Sequence, residues 1–304
     1  MLFALFFQIE EGSAQDLDPR AYAWIPAGVS VLGLGYGYTY GGVVTDPASP
    51  VKNVDAHIST LSIGVAHIFG MFHKTAQLSV NLPWNWATVT GSVQETAQRI
   101  TRSGLGDMRI RYSILLLGGP AATPAEIAKT PPRTIIGTSL YITAPTGQYL
   151  YGKLINLGTH RWSFKPELAL SQPIGKRWLF DVYAGVWFFT ANNSFYPGNS
   201  VRTQDPMTAF QAHISYNVTP RLWAAFNYTY YIGGASTVND VTSDDRQENS
   251  RVGGTFVFPV GKRNSVKIAY STGAIIRFGA NFSTVSVAWQ SIYFSKPKKA
   301  VPAS

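Results

Sequence analysis

Cysteine is absent from the 304 residues, which excludes disulfides, thiol catalysis and thiolate metal sites. Charge is scarce as well. Asp, Glu, Lys and Arg make up 13% of the chain, roughly half of the ~25% usual in soluble domains. Long apolar runs are also missing: nowhere do the ~18 consecutive apolar residues of a membrane-spanning helix occur, so a helical membrane protein is excluded. Histidine is sparse, with 5 scattered residues, and neither a metal nor another cofactor is expected. What the chain does have is 13% aromatic residues, 28 glycines and a mean hydropathy near zero. Outer-membrane barrels show this mixture, because their apolar residues alternate with polar ones and never build a run.

The stretch Ile155–Thr190 carries the alternation most plainly. In its first run Trp162, Phe164, Pro166, Leu168 and Leu170 share one face, and Arg161, Ser163, Lys165, Glu167, Ala169 and Ser171 the other. After the turn Ile174-Gly175-Lys176-Arg177, Trp178, Phe180, Val182, Ala184, Val186 and Phe188 lie opposite Leu179, Asp181, Tyr183, Gly185, Trp187 and Phe189. A period of two marks a strand with one apolar face. Each run lasts about ten to thirteen residues, longer than a usual soluble strand and close to what a tilted strand needs to cross a bilayer. Aromatic residues near the ends of the apolar face match a membrane–water girdle. The stretch reads as a transmembrane hairpin.

Similar runs occupy Val29–Tyr40, Ala56–Phe69, Thr75–Leu82, Leu105–Leu117, Arg133–Thr143, Met207–Val218, Arg221–Ile232, Arg251–Phe258, Ser265–Ser271 and Phe282–Tyr293, which brings the strand count to twelve. Trp84–Ser103, Gln148–His160, Ala191–Gln204 and Gly233–Asn249 read as loops, and Asp18–Ala27 as a lead-in. The expected fold is all-β: a 12-stranded antiparallel transmembrane β-barrel over residues 15–294, with short periplasmic turns and long extracellular loops. One turn breaks that asymmetry. There Thr123, Pro124 and Glu126 form a helix-start signature, predicting one short helix near residues 123–129. A helix that short must pack on something. It reads either as a periplasmic plug or docking element or as an ordinary capped turn.

The two ends differ from the rest. Residues 1–14 resemble a truncated secretory signal, with the short apolar core Leu2–Phe7, no preceding basic residue, and Glu10 and Glu11 out of place. Residues 295–304 are expected to be a basic, disordered tail. The net charge of +9 is spread along the chain without a nucleic-acid motif, so nucleic acid is not expected as a partner. A basic lumen or rim that favours anions is the more economical reading.

Several short stretches belong together: Ser103-Gly104-Leu105-Gly106-Asp107, Gly118-Gly119-Pro120-Ala121, Ala144-Pro145-Thr146-Gly147-Gln148-Tyr149 and Ile155-Asn156-Leu157-Gly158-Thr159-His160-Arg161-Trp162. Lys165-Pro166-Glu167, Gln204-Asp205-Pro206, Gln211-Ala212-His213 and Ala269-Tyr270-Ser271-Thr272-Gly273 add to them. In this combination the chain resembles the MetA-pathway of phenol degradation family of outer-membrane proteins, from about Asp18 to Tyr293. The resemblance implies a β-barrel of the bacterial outer membrane and a link to uptake of small, aromatic compounds.

Twelve strands enclose a space between the side-chain-filled interior of eight and the aqueous channel of sixteen. Candidate lumen or selectivity residues on the polar faces are Asp107, Arg109, Arg111, Arg161, Lys165, Glu167, Asp181, Gln211, His213, Arg251 and Lys267. Rings of basic side chains would favour anions, whereas cross-strand pairing would make the same charges structural. Tyr141, Tyr183, Trp187, Trp223 and Tyr231 are aromatic lumen candidates, able to stack with a solute or simply to fill space. His57-Ile58-Ser59 and His213-Ile214-Ser215 place His and Ser on one strand face, the spacing of a lipid-hydrolysing barrel, but no third orienting residue stands out. The Asp244-Asp245 pair reads as solvated. The sequence points to a passive, non-enzymatic channel for small solutes, with membrane lipid and lipopolysaccharide around it and no catalytic residue assigned. A non-transporting scaffold or adhesion barrel is the alternative, and the lipase ranks third. Substrate and oligomeric state stay open.

Overall fold

In a computed structural model of the chain, residues 17–44, 51–93 and 96–294 are described; the expected signal remnant and basic tail lie outside them. The alternating runs become β1 (Val29–Val44), β2 (Val51–Met71), β3 (Lys74–Val93), β4 (Thr96–Leu105) and β5 (Met108–Leu117). After α1 (Pro124–Lys129) come β6 (Ile135–Ala144), β7 (Ser163–Ile174), β8 (Trp178–Phe189), β9 (Asn192–Phe195) and β10 (Ser200–Gln204). The rest are β11 (Met207–Asn217), β12 (Trp223–Gly233), β13 (Ser236–Val238), β14 (Val241–Thr242), β15 (Gln247–Val260), β16 (Asn264–Ile275) and β17 (Gly279–Phe294).

Neighbours pair antiparallel, and β1 closes the sheet by pairing with β2 and β17 at once, Val29 lying opposite both Ile68 and Phe294. β4 and β5 share one stave against β3, so the closed barrel has twelve. Its period of two is visible in β7, where Ser163, Lys165, Glu167, Ala169 and Ser171 are buried while Pro166, Leu168 and Leu170 are exposed. The outward set includes Leu34, Ile63, Leu168, Phe210, Phe226 and Val285. Water does not tolerate so large a contiguous apolar band, but a bilayer covers it. Exposed aromatics bound the band: Trp84, Trp86, Trp162 and Phe188 at the outer end, Trp178, Tyr293 and Phe294 at the periplasmic end.

Three loop assignments are corrected. Residues 84–103, expected as a loop, continue β3 and form β4, in register from Trp84↔Leu105 to Val93↔Thr96. Past Trp84 and Trp86, which belong to the outer girdle, this hairpin stands beyond the membrane, so its sequence needs no apolar alternation. The loops around 191–204 and 233–249 contain β9, β10, β13 and β14, which form a second sheet in the order β14-β13-β10-β9 above the mouth. The helix is where its signature placed it. Thr123 accepts from the Glu126 amide (3.4 Å) and Glu126 Oε2 accepts from the Thr123 amide (2.7 Å).

Candidate functional site

The segment 17–27 is more than a lead-in: it runs into the barrel from the periplasmic end. At its base Gly28 N donates to Ile68 O (2.8 Å), Ala27 N to Ala122 O (3.0 Å) and Trp24 Nε1 to Pro120 O (2.8 Å). Deeper in, Tyr22 OH bonds Ser139 Oγ (2.6 Å) and donates to Glu167 Oε1 (2.9 Å). Arg20 donates from its backbone to Asp181 Oδ2 (3.2 Å) and from its guanidinium to Asn217 Oδ1 (2.8 Å), while lying 4.2 Å over Trp223. Arg111 Nη2 donates to Ala21 O (3.0 Å), and Asp18 pairs with Lys267 (3.4 Å). These partners come from β5, β6, β7, β8, β11, β12 and β16, so the segment crosses the lumen and is tied to most of its wall. Arg20 adopts a left-handed conformation (φ 64°) that lets Ala23 N reach back to Arg20 O (3.0 Å). Such a conformation persists where surrounding bonds over-determine it. The Thr123 helix braces this plug, burying Ile127 in one apolar cluster with Tyr22, Trp24, Leu115 and Tyr183. A mainly apolar cavity of about 340 Å³ remains beside it at the periplasmic mouth, rimmed by Arg20, Arg133, Lys176 and Arg177.

Above the plug, Lys165 and Glu167 form a fully buried ion pair (3.0 Å). Glu167 also accepts from Gln211 Nε2 (3.3 Å), and Lys165 Nζ lies 4.2 Å from the Tyr141 ring centre and 5.1 Å from that of Trp187. Arg111 sits over Tyr22 (4.7 Å) and Tyr141 (5.2 Å). Two residues apart on one strand, the lysine and glutamate occupy the same inner face, which is why the sequence can pair them. An aromatic layer of Tyr141, Trp187, Met207 and Tyr231 caps this level.

At the extracellular mouth a third level is organised by Asp107. The register slips by one residue between Asn81↔Arg109 and Trp84↔Leu105, and this bulge aims the carboxylate sideways. It accepts from Gly147 N (2.9 Å), Thr159 N (2.8 Å) and Thr159 Oγ1 (2.7 Å), so it clasps both ends of the 145–162 loop. The clasp needs glycine: a Cβ on Gly147 would lie 2.7 Å from Gly158 Cα and 2.8 Å from the carboxylate. The loop thereby helps enclose a second cavity of about 300 Å³, with Tyr149, Arg161, Phe189, Phe195 and Arg202 in its wall. Arg161 is buried and lies 4.4 Å over Phe189; Arg202 is half-buried and lies 5.2 Å over Phe195. Burial, and then the charge of Arg202, lower the Arg161 pKa to about 10 against the pull of Asp107. Both arginines stay charged at neutral pH.

The structure thus brings most sequence candidates to one lumen, at three levels rather than in one ring. Asp107, Arg111, Arg161, Lys165, Glu167, Asp181, Gln211, His213, Arg251 and Lys267 are buried, as are Tyr141, Tyr183, Trp187, Trp223 and Tyr231; Arg109 is partly exposed. Buried cations (Arg111, Arg161, Lys165, Arg251, Lys267) barely outnumber buried carboxylates (Asp18, Asp107, Glu167, Asp181), so the lumen is closer to balance than the net charge suggests. The imbalance appears in bonding. Arg20 Nε, Arg111 Nε, Arg161 Nη1 and both Nε and Nη1 of Arg251 are buried without a hydrogen-bond partner, whereas no carboxylate oxygen among the described residues is left so. Sequence reasoning missed Asp18, Arg20, Tyr22, Tyr149 and Arg202, because segments outside the strands carry no face assignment.

Neither His–Ser pair forms a relay. His213 Nδ1 bonds Asn227 Oδ1 (3.0 Å), while His213 Nε2 and Ser215 Oγ are buried without partners and so do not meet. On the outer surface His57 engages Tyr38 OH (2.8 Å) and Asp55 (3.0 Å), and Ser59 bonds Tyr36 OH (3.0 Å). Of the Asp244-Asp245 pair, expected to be solvated, Asp244 is exposed and forms a surface ion pair with Arg277 (3.1 Å), whereas Asp245 is half-buried and accepts from Ser236 N (2.7 Å). Among the described residues no cluster of His, Asp or Glu could hold a metal ion.

Fold and lumen define a closed β-barrel of the bacterial outer membrane with an internal plug. Residues 53–277 match the family model described as "Putative MetA-pathway of phenol degradation", and the chain belongs to that family. Its fold is similar to that of an outer membrane channel from Pseudomonas putida F1, at 19% identity and a TM-score of 0.77, covering 91% of this chain and 100% of that one. The transport unit of the autotransporter AIDA-I from Escherichia coli is more distant, at 10% identity and a TM-score of 0.54 with 93% of each chain covered. The beta domain of the Bordetella autotransporter BrkA stands at 10% and 0.52, covering 88% and 100%. A comparison with curated protein sequences finds no match.

Proposed function

We propose that the protein is a non-enzymatic outer-membrane channel that lets small, anionic or aromatic solutes diffuse inward, with the 17–27 segment as its constriction. The observation that carries this reading is the bonding deficit of the lumen's charged groups, which falls on guanidinium donors and on no carboxylate oxygen among the described residues. Unmet guanidinium donors occur at the plug, the middle and the mouth, and each unmet buried donor is costly unless water or a solute accepts from it. Aromatic rings beside those cations add faces on which a flat solute can lie. The similarity of the fold to the P. putida F1 outer membrane channel supports the same reading.

The test is reversal potential and single-channel conductance of the refolded barrel in planar bilayers under a KCl gradient. A small, anion-selective conductance that added benzoate reduces is expected. A folded barrel that never conducts removes the channel reading. It would favour the second one, a scaffold, which the plug bonded across the lumen also supports.

A further inference from the structure

The geometry points to the extracellular cavity between Arg161 and Arg202 as a recognition site for a flat aromatic carboxylate, held before it enters the lumen; this rests on the channel reading above. Four observations converge there. First, both guanidinium groups line the same cavity, and the charge of Arg202 helps lower the pKa of Arg161, so the wall holds like charges in partial burial. An anion between them relieves that repulsion. Second, neither forms an ion pair among the described residues. Asp107 pulls on Arg161 and Asp245 on Arg202 only from beyond ion-pair distance; their oxygens accept instead from Gly147 and Thr159, and from Ser236.

Third, the neutral polar groups of the wall other than the Gln247 side-chain amide are already used. Asn192 Nδ2 donates to Tyr149 OH and Thr159 O (both 3.1 Å), and its Oδ1 accepts from Ser194 N (2.9 Å). Asn156 accepts from Leu150 N (2.7 Å) and donates to Lys153 O (2.8 Å). Gln204 accepts from Arg161 Nη2 and donates to Gly234 O (2.9 Å). What remains for a ligand, beside that amide, is guanidinium: Arg161 Nη1 has no partner, and Arg202 lies over the Phe195 ring and feels Asp245 and Tyr149 without a hydrogen bond to either. Such groups select a carboxylate through charge-assisted, fork-shaped bonding. A phenol or alcohol would gain little.

Fourth, the apolar part of the wall is aromatic. Phe189 and Phe195 lie under the arginines, and Tyr149 is stacked on His160 at 4.6 Å. Planar faces beside cations favour a planar anion over a compact one such as phosphate. The volume, about 300 Å³, is at the lower end of the ~300–1,000 Å³ typical of small-molecule sites. Below the cavity floor at Met207 and Phe189 lie Trp187 and Tyr141, then the Lys165 ammonium, so a bound anion has an aromatic layer and a further cation beneath it.

The test is isothermal titration of the refolded full chain in detergent micelles with benzoate, benzyl alcohol and inorganic phosphate. Benzoate should bind, and the other two at least about tenfold more weakly. Arg202→Gln, on an extracellular strand, should weaken benzoate binding at least about tenfold, as should Arg161→Gln, with Arg161→Lys between them and the wild type. Heat-modifiable gel migration checks that each variant is a closed barrel; should Arg161→Gln fail to fold, Arg202→Gln decides. Equal binding of benzoate by wild type and Arg202→Gln overturns the site, and phosphate binding as tightly as benzoate overturns its aromatic specificity. Wild-type KCl conductance is read separately. Conductance without benzoate binding refutes the site and spares the channel, whereas arginine-dependent binding without conductance does the reverse.

Discussion

The lower and upper halves of the lumen use the same residue types to opposite ends. Below, the protein pairs most of its charge, Lys165 with Glu167, Lys267 with Asp18, and Asp181 with the Arg20 amide, although Arg20 Nε and Arg111 Nε go without a partner. Above, Arg161 and Arg202 face a cavity and form no ion pair among the described residues, because Asp107 holds the loop that encloses them. The difference teaches that sign and burial of a side chain do not decide its role. What decides is whether the chain supplies the acceptor, and here that depends on two segments outside the barrel strands: the plug below and the 145–162 loop above.

The sharpest way to break the comparison is to remove the plug. A chain lacking residues 1–22 should conduct several-fold more than the full chain in planar bilayers, because the lumen of a twelve-stranded barrel is then obstructed by side chains alone. Unchanged conductance would mean that the constriction lies elsewhere. Next in size is Lys165→Met, which leaves Glu167 buried without its cation. That should cost about 3–5 kcal/mol, and Lys165→Met with Glu167→Gln should recover much of it. Urea unfolding in lipid vesicles measures both. A double variant no more stable than the single one would show that the pair is not the source of the loss.

In the upper half, Asp107→Ala should release the loop rather than the barrel. Three bonds to one carboxylate are lost, leaving two amides to find water at about 1–3 kcal/mol each if they stay buried. Hydrogen exchange should then accelerate at Gly147 and Thr159 while β5 and β6 amides keep their protection. Exchange that rises uniformly around the barrel would instead make Asp107 a part of the wall.

How much of this was legible follows from where alternation exists. Strands β7 and β8 were readable residue by residue, because one face meets lipid and the other does not, and the lumen candidates on them are buried as assigned. The β3–β4 hairpin was missed, since beyond the membrane its sequence needs no apolar alternation. The plug was missed for a related reason: Asp18, Arg20, Tyr22 and Trp24 alternate charged and aromatic types, but a segment enclosed by a barrel has no outside face to contrast. Likewise Arg202 lies on a short loop strand whose partner Val238, on another loop, is distant in sequence. The local helix signature at Thr123, by contrast, needs no tertiary context and was read correctly.

That signature supports the smallest prediction, at the brace beneath the plug. Hydrogen bonds from the Thr123 amide, and then its hydroxyl, hold the Glu126 carboxyl below the ordinary carboxylate value. A carboxyl whose folded pKa is depressed stabilises the fold above its unfolded pKa and loses that contribution as pH falls through the folded value. Protection of the Ile127 amide, which donates to Thr123 O (3.1 Å), should therefore decline on acidification through that lower value. Glu126→Gln keeps a capping side chain without a titrating proton, so its protection factor should stay flat over the same range. Because Ile127 packs with Tyr22 and Trp24, the wild-type decline should be accompanied by faster exchange at those two amides. Glu126→Gln should leave the profile of the upper loop amides of Gly147 and Thr159, held by a different carboxylate, as it is in the wild type. An upper-loop profile that changed with Glu126→Gln would tie the two halves of the lumen into one cooperative unit and end the distinction between them.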